Sequence, residues 1–229
     1  MIQLINSDCF SFMSKMKAES INLILTDPPW KYYKSNRITN VEKKYREITT
    51  PLDPNWVHIL CQESFRVLAP NSHCYIFTDF DAYPKFYYEL KRAGFQIKKV
   101  LFWIKEKMTA GDLVGDYGER TEQIIFATKG RRELNGKRLD NLFPFNRVVR
   151  NEIWHPTQKP LELLQTLIKK STNKDDLIFD CFGGVYSTAL AASLCNRSCI
   201  SVEINEEYHN KGKFRFVMKD LNFKEGEER

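Results

Sequence analysis

The strongest constraint on this chain is a rhythm. Short apolar runs alternate with amphipathic stretches nearly from end to end. Strands are expected at 2–5, 21–26, 72–78, 96–104, 121–128, 176–180 and 198–204, and helices at 9–17, 54–68, 82–93, 160–171, 187–195 and 205–220. Such alternation predicts an α/β fold with a mostly parallel central sheet flanked by helices. The 229 residues fit one domain spanning 1–229 with a substantial core. Two segments break the rhythm: 31–50 has no clean period, and 105–155 holds one strand among Gly, Asn, Arg and Lys. Long irregular connections in a compact domain are functional or disordered. The closing "KEGEER" reads as a frayed tail.

The bulk numbers exclude more than they select. Hydrophobic residues at 42% and charged residues at 28% are ordinary for a globular protein. The six cysteines form no CxxC pair and lie near no histidine at ligand spacing, so no metal site and no disulfide framework is expected. The opening "MIQLINSDCF" lacks a basic region followed by an apolar run, and no run approaches the roughly 20 residues that span a bilayer. A cytoplasmic protein with reduced thiols and no membrane partner is expected.

Two stretches carry chemistry. In "DLIFDCFGGVYSTALAA", from Asp176 to Ala192, an apolar strand runs through a glycine pair into a helix. Glycine lets the backbone approach a ligand and adopt positive φ. About twenty residues beyond this loop a second strand ends at Glu203, the spacing of an acidic residue that holds ribose hydroxyls. In "LILTDPPW", residues 23–30, a buried strand delivers Asp27 to its carboxyl end, where open α/β sheets bind ligands. Pro28 and Pro29 fix the backbone and remove two donors, and Trp30 offers a flat face. A carboxylate and a neighbouring carbonyl can accept both hydrogens of an exocyclic amino group. That grip favours a tetrahedral nitrogen with its lone pair aimed at an electrophile.

These residues resemble a known family. "DPPW" is similar to the catalytic motif of amino-methyltransferases that use S-adenosylmethionine on adenine N6 or cytosine N4. Its acidic first residue resembles the adenine enzymes. The catalytic motif precedes the cofactor loop, an order that resembles the β-class. "HPTQKP" (155–160), "RTEQIIFATKG" (120–130) and "INSDCFSFM" (5–13) follow in the places that class has them. The resemblance runs from residue 5 to about 210 and implies a Rossmann-like methyltransferase fold, S-adenosylmethionine as cofactor, and a flipped adenine in duplex DNA as target. RNA adenine and DNA cytosine-N4 remain the alternatives. Relatives of this class form dimers, so a homodimer is implied by analogy alone.

The resemblance also distributes roles. Catalysis falls to Asp27, Pro28, Pro29 and Trp30, and Asp27 also falls at the cofactor's amino-acid end. Asp8 and Cys9 fall at the cofactor's adenine end, and Phe182 against its adenosine. Asp180 ends the strand, while Gly183, Gly184, Ser187 and Thr188 form the loop and helix start. Glu203 would hold the ribose, and Lys159 could reach the cofactor carboxylate. His155 is expected to be structural.

Tyr186 departs from the family pattern, standing where the second glycine belongs. If the position is left-handed, tyrosine costs about 1–2 kcal/mol and its ring could crowd the donor. If it is the first helical residue, tyrosine is tolerated and the ring swings aside. Weakened cofactor binding is the expectation, and a silent, nucleic-acid-binding or partner-subunit relative is the extreme case.

The basic excess concentrates in two places. Lys31, Lys34, Arg37, Lys43, Lys44 and Arg46 are interleaved with Tyr32, Tyr33 and Tyr45. Arg131, Arg132, Lys137 and Arg138 lie with Arg147 and Arg150 in the second. Cations with aromatics on loops beside a site suit phosphate contact and base handling. Residues 31–50 are expected to close over the flipped base, and 105–150 to recognise the target sequence.

Overall fold

The structure, a computed structural model, describes residues 1–29, 55–108, 114–115 and 117–226. In chain order its elements are β1 (Ile2–Asn6), α1 (Cys9–Lys15), β2 (Ile21–Thr26), α2 (Trp56–Val67), β3 (Leu68–Thr78), α3 (Tyr83–Ala93), β4 (Gln96–Ile104), β5 (Thr121–Lys129) and β6 (Leu142–Pro144). A 3₁₀ turn at Arg150–Glu152 follows, then α4 (Leu161–Ser171), β7 (Leu177–Asp180), α5 (Ser187–Leu194), β8 (Ser198–Glu203), α6 (Glu206–Met218) and β9 (Lys224–Glu225).

The apolar runs decide the layering. In β2, Leu23 and Leu25 join one core cluster while Ile24 joins the other. A strand buried on both faces belongs in the middle of a helix-covered parallel sheet. Residues of α1, α2 and α3 pack in the Ile24 cluster, and those of α4, α5 and α6 in the Leu23 cluster. The single nine-stranded sheet has the order β6-β4-β5-β3-β2-β7-β8-β1-β9. Every neighbouring pair is parallel except the two that involve β5.

Helix ends follow local chemistry. Asp8 caps α1 by accepting from Ser11 N at 2.8 Å, and Asn205 caps α6 by accepting from Tyr208 N at 3.0 Å. Gly94 ends α3 at φ 109°, and a Cβ there would lie 2.9 Å from Phe65.

Three sequence expectations need correction. The third strand begins at Leu68 rather than 72, because α2 runs straight into it, with a register shift opposite Ile21 and Leu23. The segment 105–155 holds a second strand, β6, whose three residues are too few to show a period. Within the tail expected to fray, Lys224–Glu225 instead form β9, parallel to β1, with Lys213 3.0 Å from Glu225; residues 227–229 lie outside the described residues.

The topology creates the crevice. From β2 the chain goes to β3 on one side, and from β7 to β8 on the other. The carboxyl ends of β2 and β7 therefore meet at a switch point, the place where such sheets bind ligands.

Candidate active site

At the switch point Asp180 joins the two strands. Its carboxylate accepts from Thr26 Oγ1 at 2.8 Å and from Phe182 N at 3.2 Å. Burial pushes it up to about 6. The glycine loop then turns over the strand ends. Gly184 has φ 54°, and its N–H donates to Glu203 Oε2 at 2.6 Å. The other Glu203 oxygen accepts from Asn205 N at 2.8 Å, and burial pushes this carboxyl up to about 7. Phe182 is met edge-on by Phe10 and Trp56. Burial raises the Cys9 thiol far above its ordinary range, so this sulfur is a packed, neutral wall.

One cavity of about 510 Å³ gathers these groups. Asp8, Cys9, Asp27, Lys159, Asp180, Phe182, Gly183, Gly184, Ser187, Thr188 and Glu203 all line it, together with Pro28 and Pro29. Trp30 lies outside the described residues, as do Lys31, Tyr32, Lys34, Arg37, Lys43 and Lys44. The cavity volume falls in the range of small-molecule sites. Acidic side chains at one end, an aromatic plate and a backbone loop fit a nucleoside carrying a charged tail. Among the described residues no group of three or more His, Cys, Asp or Glu could hold a metal ion.

A buried charge chain forms the other wall. Lys159 is only 6% exposed and hydrogen-bonds Asp27 Oδ2, with Glu122 Oε2 3.2 Å away. Glu122 Oε1 in turn meets Lys105 at 2.6 Å. Burial alone would pull the Lys159 ammonium down, but Asp27 and then Glu122 carry it above its usual range. Burial pushes Glu122 up, yet Lys159 and Lys105 hold it below its ordinary value. Lys159 is thus no solvent lysine at a helix entry. It lines the cavity with its charge already committed to two carboxylates.

Tyr186 combines its two foreseen outcomes. Its backbone is left-handed, at φ 62° and ψ 37°, and it stands at the N-cap of α5. Its ring, however, is fully buried on the side away from the cavity, with its hydroxyl on the Ile5 carbonyl at 3.1 Å. The ring does not line the cavity, so crowding of the donor is not what the structure shows. In the neighbouring glycine pair only Gly184 has positive φ. Gly183 leaves space: a Cβ there would lie 2.6 Å from Ser201 Oγ and 2.7 Å from the Tyr186 ring.

Sequence reasoning gave Glu122, Lys105, Trp103, Asp79 and His155 no place in the cavity, and all five line it. Glu122 lay within a stretch already singled out. Asp79 had a signal too: "YIFTDF" ends a strand as "LILTDP" does. Lys105 carried none beyond its position after an apolar run. His155 covers Gly184, with ring atoms 3.9 Å from where a Cβ would stand, and packs edge-on against Tyr208.

The basic residues of the second segment are corrected. Because β5 is antiparallel, its end at Lys129 pairs with Ser72, at the amino end of β3. Arg131, Arg132, Lys137 and Arg138 follow it and sit at the edge opposite the cavity. Arg132 pairs with Asp176 at 3.3 Å, just before β7, and the Lys137 carbonyl accepts from Lys170 of α4. After β6 returns to the cavity edge, Arg147 and Val148 line the mouth instead.

A glycine loop at the switch point, an acidic residue ending the next strand and an antiparallel strand within a parallel sheet define a Rossmann-like methyltransferase. The chain belongs to the DNA methylase family of N6 and N4 enzymes, whose model matches residues 21–214. The type II methyltransferase M2.DpnII of Streptococcus pneumoniae is 28% identical, over 90% of this chain and 85% of its own. The DNA adenine methyltransferase YhdJ of Escherichia coli is 27% identical, over 91% and 80%. Among solved structures, the M1.HpyAVI complex with its SAM ligand superposes with a TM-score of 0.73 at 25% identity, covering 94% of this chain and all of that one.

Proposed function

We propose that this protein transfers a methyl group from S-adenosylmethionine to the N6 amino group of adenine in DNA, at a short recognition sequence. The observation that carries the reading is the meeting of Asp27 and the glycine loop in one cavity, on adjacent strand ends. Glu203 and Asp8 hold the nucleoside end, Phe182 packs on it, and Gly184 allows close backbone approach. Bound there, S-adenosylmethionine supplies an electrophilic methyl group.

The chain's own residues prepare the acceptor. Asp27 and a neighbouring carbonyl of the Pro28-Pro29 turn accept the two amino hydrogens and turn the lone pair outward. Lys159 balances the Asp27 charge inside the wall. No strong base is required, since the nitrogen becomes acidic once alkylated. A base within a duplex cannot reach this depth, so the adenine is flipped out. Trp30 and residues 31–50 lie outside the described residues; an aromatic face following the Pro28-Pro29 turn suits stacking on the base, worth about 1–3 kcal/mol. Arg147 contacts phosphate at the mouth.

We propose that it works in the cytoplasm, where the DNA it modifies would lie. Among the described residues no helix is long and apolar enough to cross a membrane. A homodimer, implied by analogy, is read by sedimentation at micromolar concentration. The function itself is tested by incubating unmethylated genomic DNA with enzyme and cofactor, then mapping modified bases by single-molecule sequencing. Modified adenines within one short sequence are expected. Randomly scattered or absent modification contradicts the proposal.

A further inference from the structure

The resemblance puts a glycine where this chain has Tyr186, and the structure surrounds that tyrosine with a fitted socket. Its ring enters between β1 and α6 and is fully buried. A Cβ on Gly212 would lie 2.4 Å from Tyr186 Cδ2, and one on Gly183 would lie 2.7 Å from Cδ1. Both positions accommodate the ring only as glycine. At the ring's tip the hydroxyl meets the Ile5 carbonyl at 3.1 Å and His209 Nδ1. The phenol has one proton and the carbonyl can only accept, so the hydroxyl donates to Ile5 and His209 Nδ1–H donates to the phenol oxygen.

The same helix face supports the loop on both sides of Tyr186. Residues 209, 212 and 215 recur every third position and so share a face of α6. Arg215 is buried and donates to the Val185 carbonyl at 2.5 Å and to Ser187 Oγ at 3.1 Å. Val185 and Ser187 line the cavity that Tyr186 turns away from. A bulky residue held in left-handed geometry persists only where its surroundings over-determine it, and such strain gathers at functional sites.

We propose that Tyr186 is a positioning residue: with His209, Gly212 and Arg215 it locks the cofactor loop from behind, doing by anchoring what glycine elsewhere does by freedom. This rests on the S-adenosylmethionine reading of the cavity. A glycine at 186 would keep the backbone angle but restore conformational freedom to the loop. The tyrosine is then an aid to cofactor binding, opposite to the expectation its sequence position raises.

The test is calorimetric titration of S-adenosylmethionine, without DNA, into wild type, Tyr186→Gly, Gly212→Ala and the double variant. Tyr186→Gly is expected to weaken binding about tenfold, the scale of the ordering cost that a rigid loop avoids. The Michaelis constant for cofactor should rise with it, while kcat at saturating cofactor changes little. Gly212→Ala is expected to weaken binding in wild type but to add nothing in the Tyr186→Gly background, since the ring it displaces is gone. Equal or tighter binding by Tyr186→Gly overturns the proposal, as does additivity in the double variant. Should Tyr186→Gly fail to fold, Tyr186→Phe carries the test. It keeps the ring and removes the two anchoring bonds, so a raised cofactor Michaelis constant is expected and an unchanged one overturns the proposal. Wild type that binds no cofactor would instead defeat the functional reading.

Discussion

Removing the Lys159 charge tests the cavity wall where its energetics are largest. Lys159→Met keeps the length and apolar stem of the side chain and deletes the cation between Asp27 and Glu122. At 3.2 Å from Glu122 and an effective dielectric near 20, one such attraction is about 5 kcal/mol before desolvation. Stripping one partner from a buried ionic cluster costs about 3–5 kcal/mol net. Lys105 still faces Glu122, which favours the lower end. The penalty has a pH signature. In the variant, a carboxylate that loses its cation has a folded pKa raised above its unfolded value, so the folded state binds the extra proton. Stability then falls as pH rises, by up to about 1.4 kcal/mol per unit, until that folded pKa is passed. In wild type the raised pKa of Lys159 keeps its contribution constant across this range. Asp180 and Glu203 titrate in both proteins and cancel in the difference. Urea unfolding at pH 5.5 and pH 8 is therefore expected to show a deficit of about 3 kcal/mol at pH 8 and a smaller one at pH 5.5. A deficit below about 1 kcal/mol at pH 8, or one equal at both values, would refute the argument.

Other outcomes follow from the same geometry. Glu203 is raised to about 7 and accepts hydroxyls best when ionised, so cofactor affinity should increase as pH rises from 5.5 to 8. Titration calorimetry should show proton release on binding, and Glu203→Gln should flatten the profile. Asp27→Asn keeps the shape but replaces an acceptor with a donor. Single-turnover methyl transfer should slow by about two to three orders of magnitude, the cost of losing one preorganised electrostatic group. Arg147→Ala, at the cavity mouth, should weaken DNA binding and reduce the salt slope by about 1, while Arg138→Ala, at the opposite edge, should leave both unchanged in a fluorescence titration.

The legibility of this chain was uneven for physical reasons. Strands such as Ile21–Thr26 and Leu177–Asp180 announce themselves because burial on both faces demands continuous apolar runs. The loop and Glu203 were legible because a strand, a glycine turn, a helix and an acidic strand end recur at a set spacing in nucleotide-binding βαβ units. What sequence order hides is direction. Arg131 and Arg138 read as neighbours of the site until the reversal of β5 carries them to the far edge. Lys105 and Glu122 read as ordinary strand-end charges until the sheet brings them against Lys159. Tyr186 was legible as an anomaly but not as a socket, because Gly212 and His209 lie more than twenty residues away and only the fold brings them against its ring.

Methyl transfer to adenine N6 in DNA is read by incubating the protein with methyl-labelled S-adenosylmethionine and either duplex DNA or RNA, then digesting to nucleosides and separating them by mass spectrometry. Label is expected in N6-methyldeoxyadenosine from DNA, lost in Asp27→Asn. Label confined to N4-methyldeoxycytidine or to RNA nucleosides, or no label from a protein that binds the cofactor, would rule out adenine N6 of DNA as the acceptor.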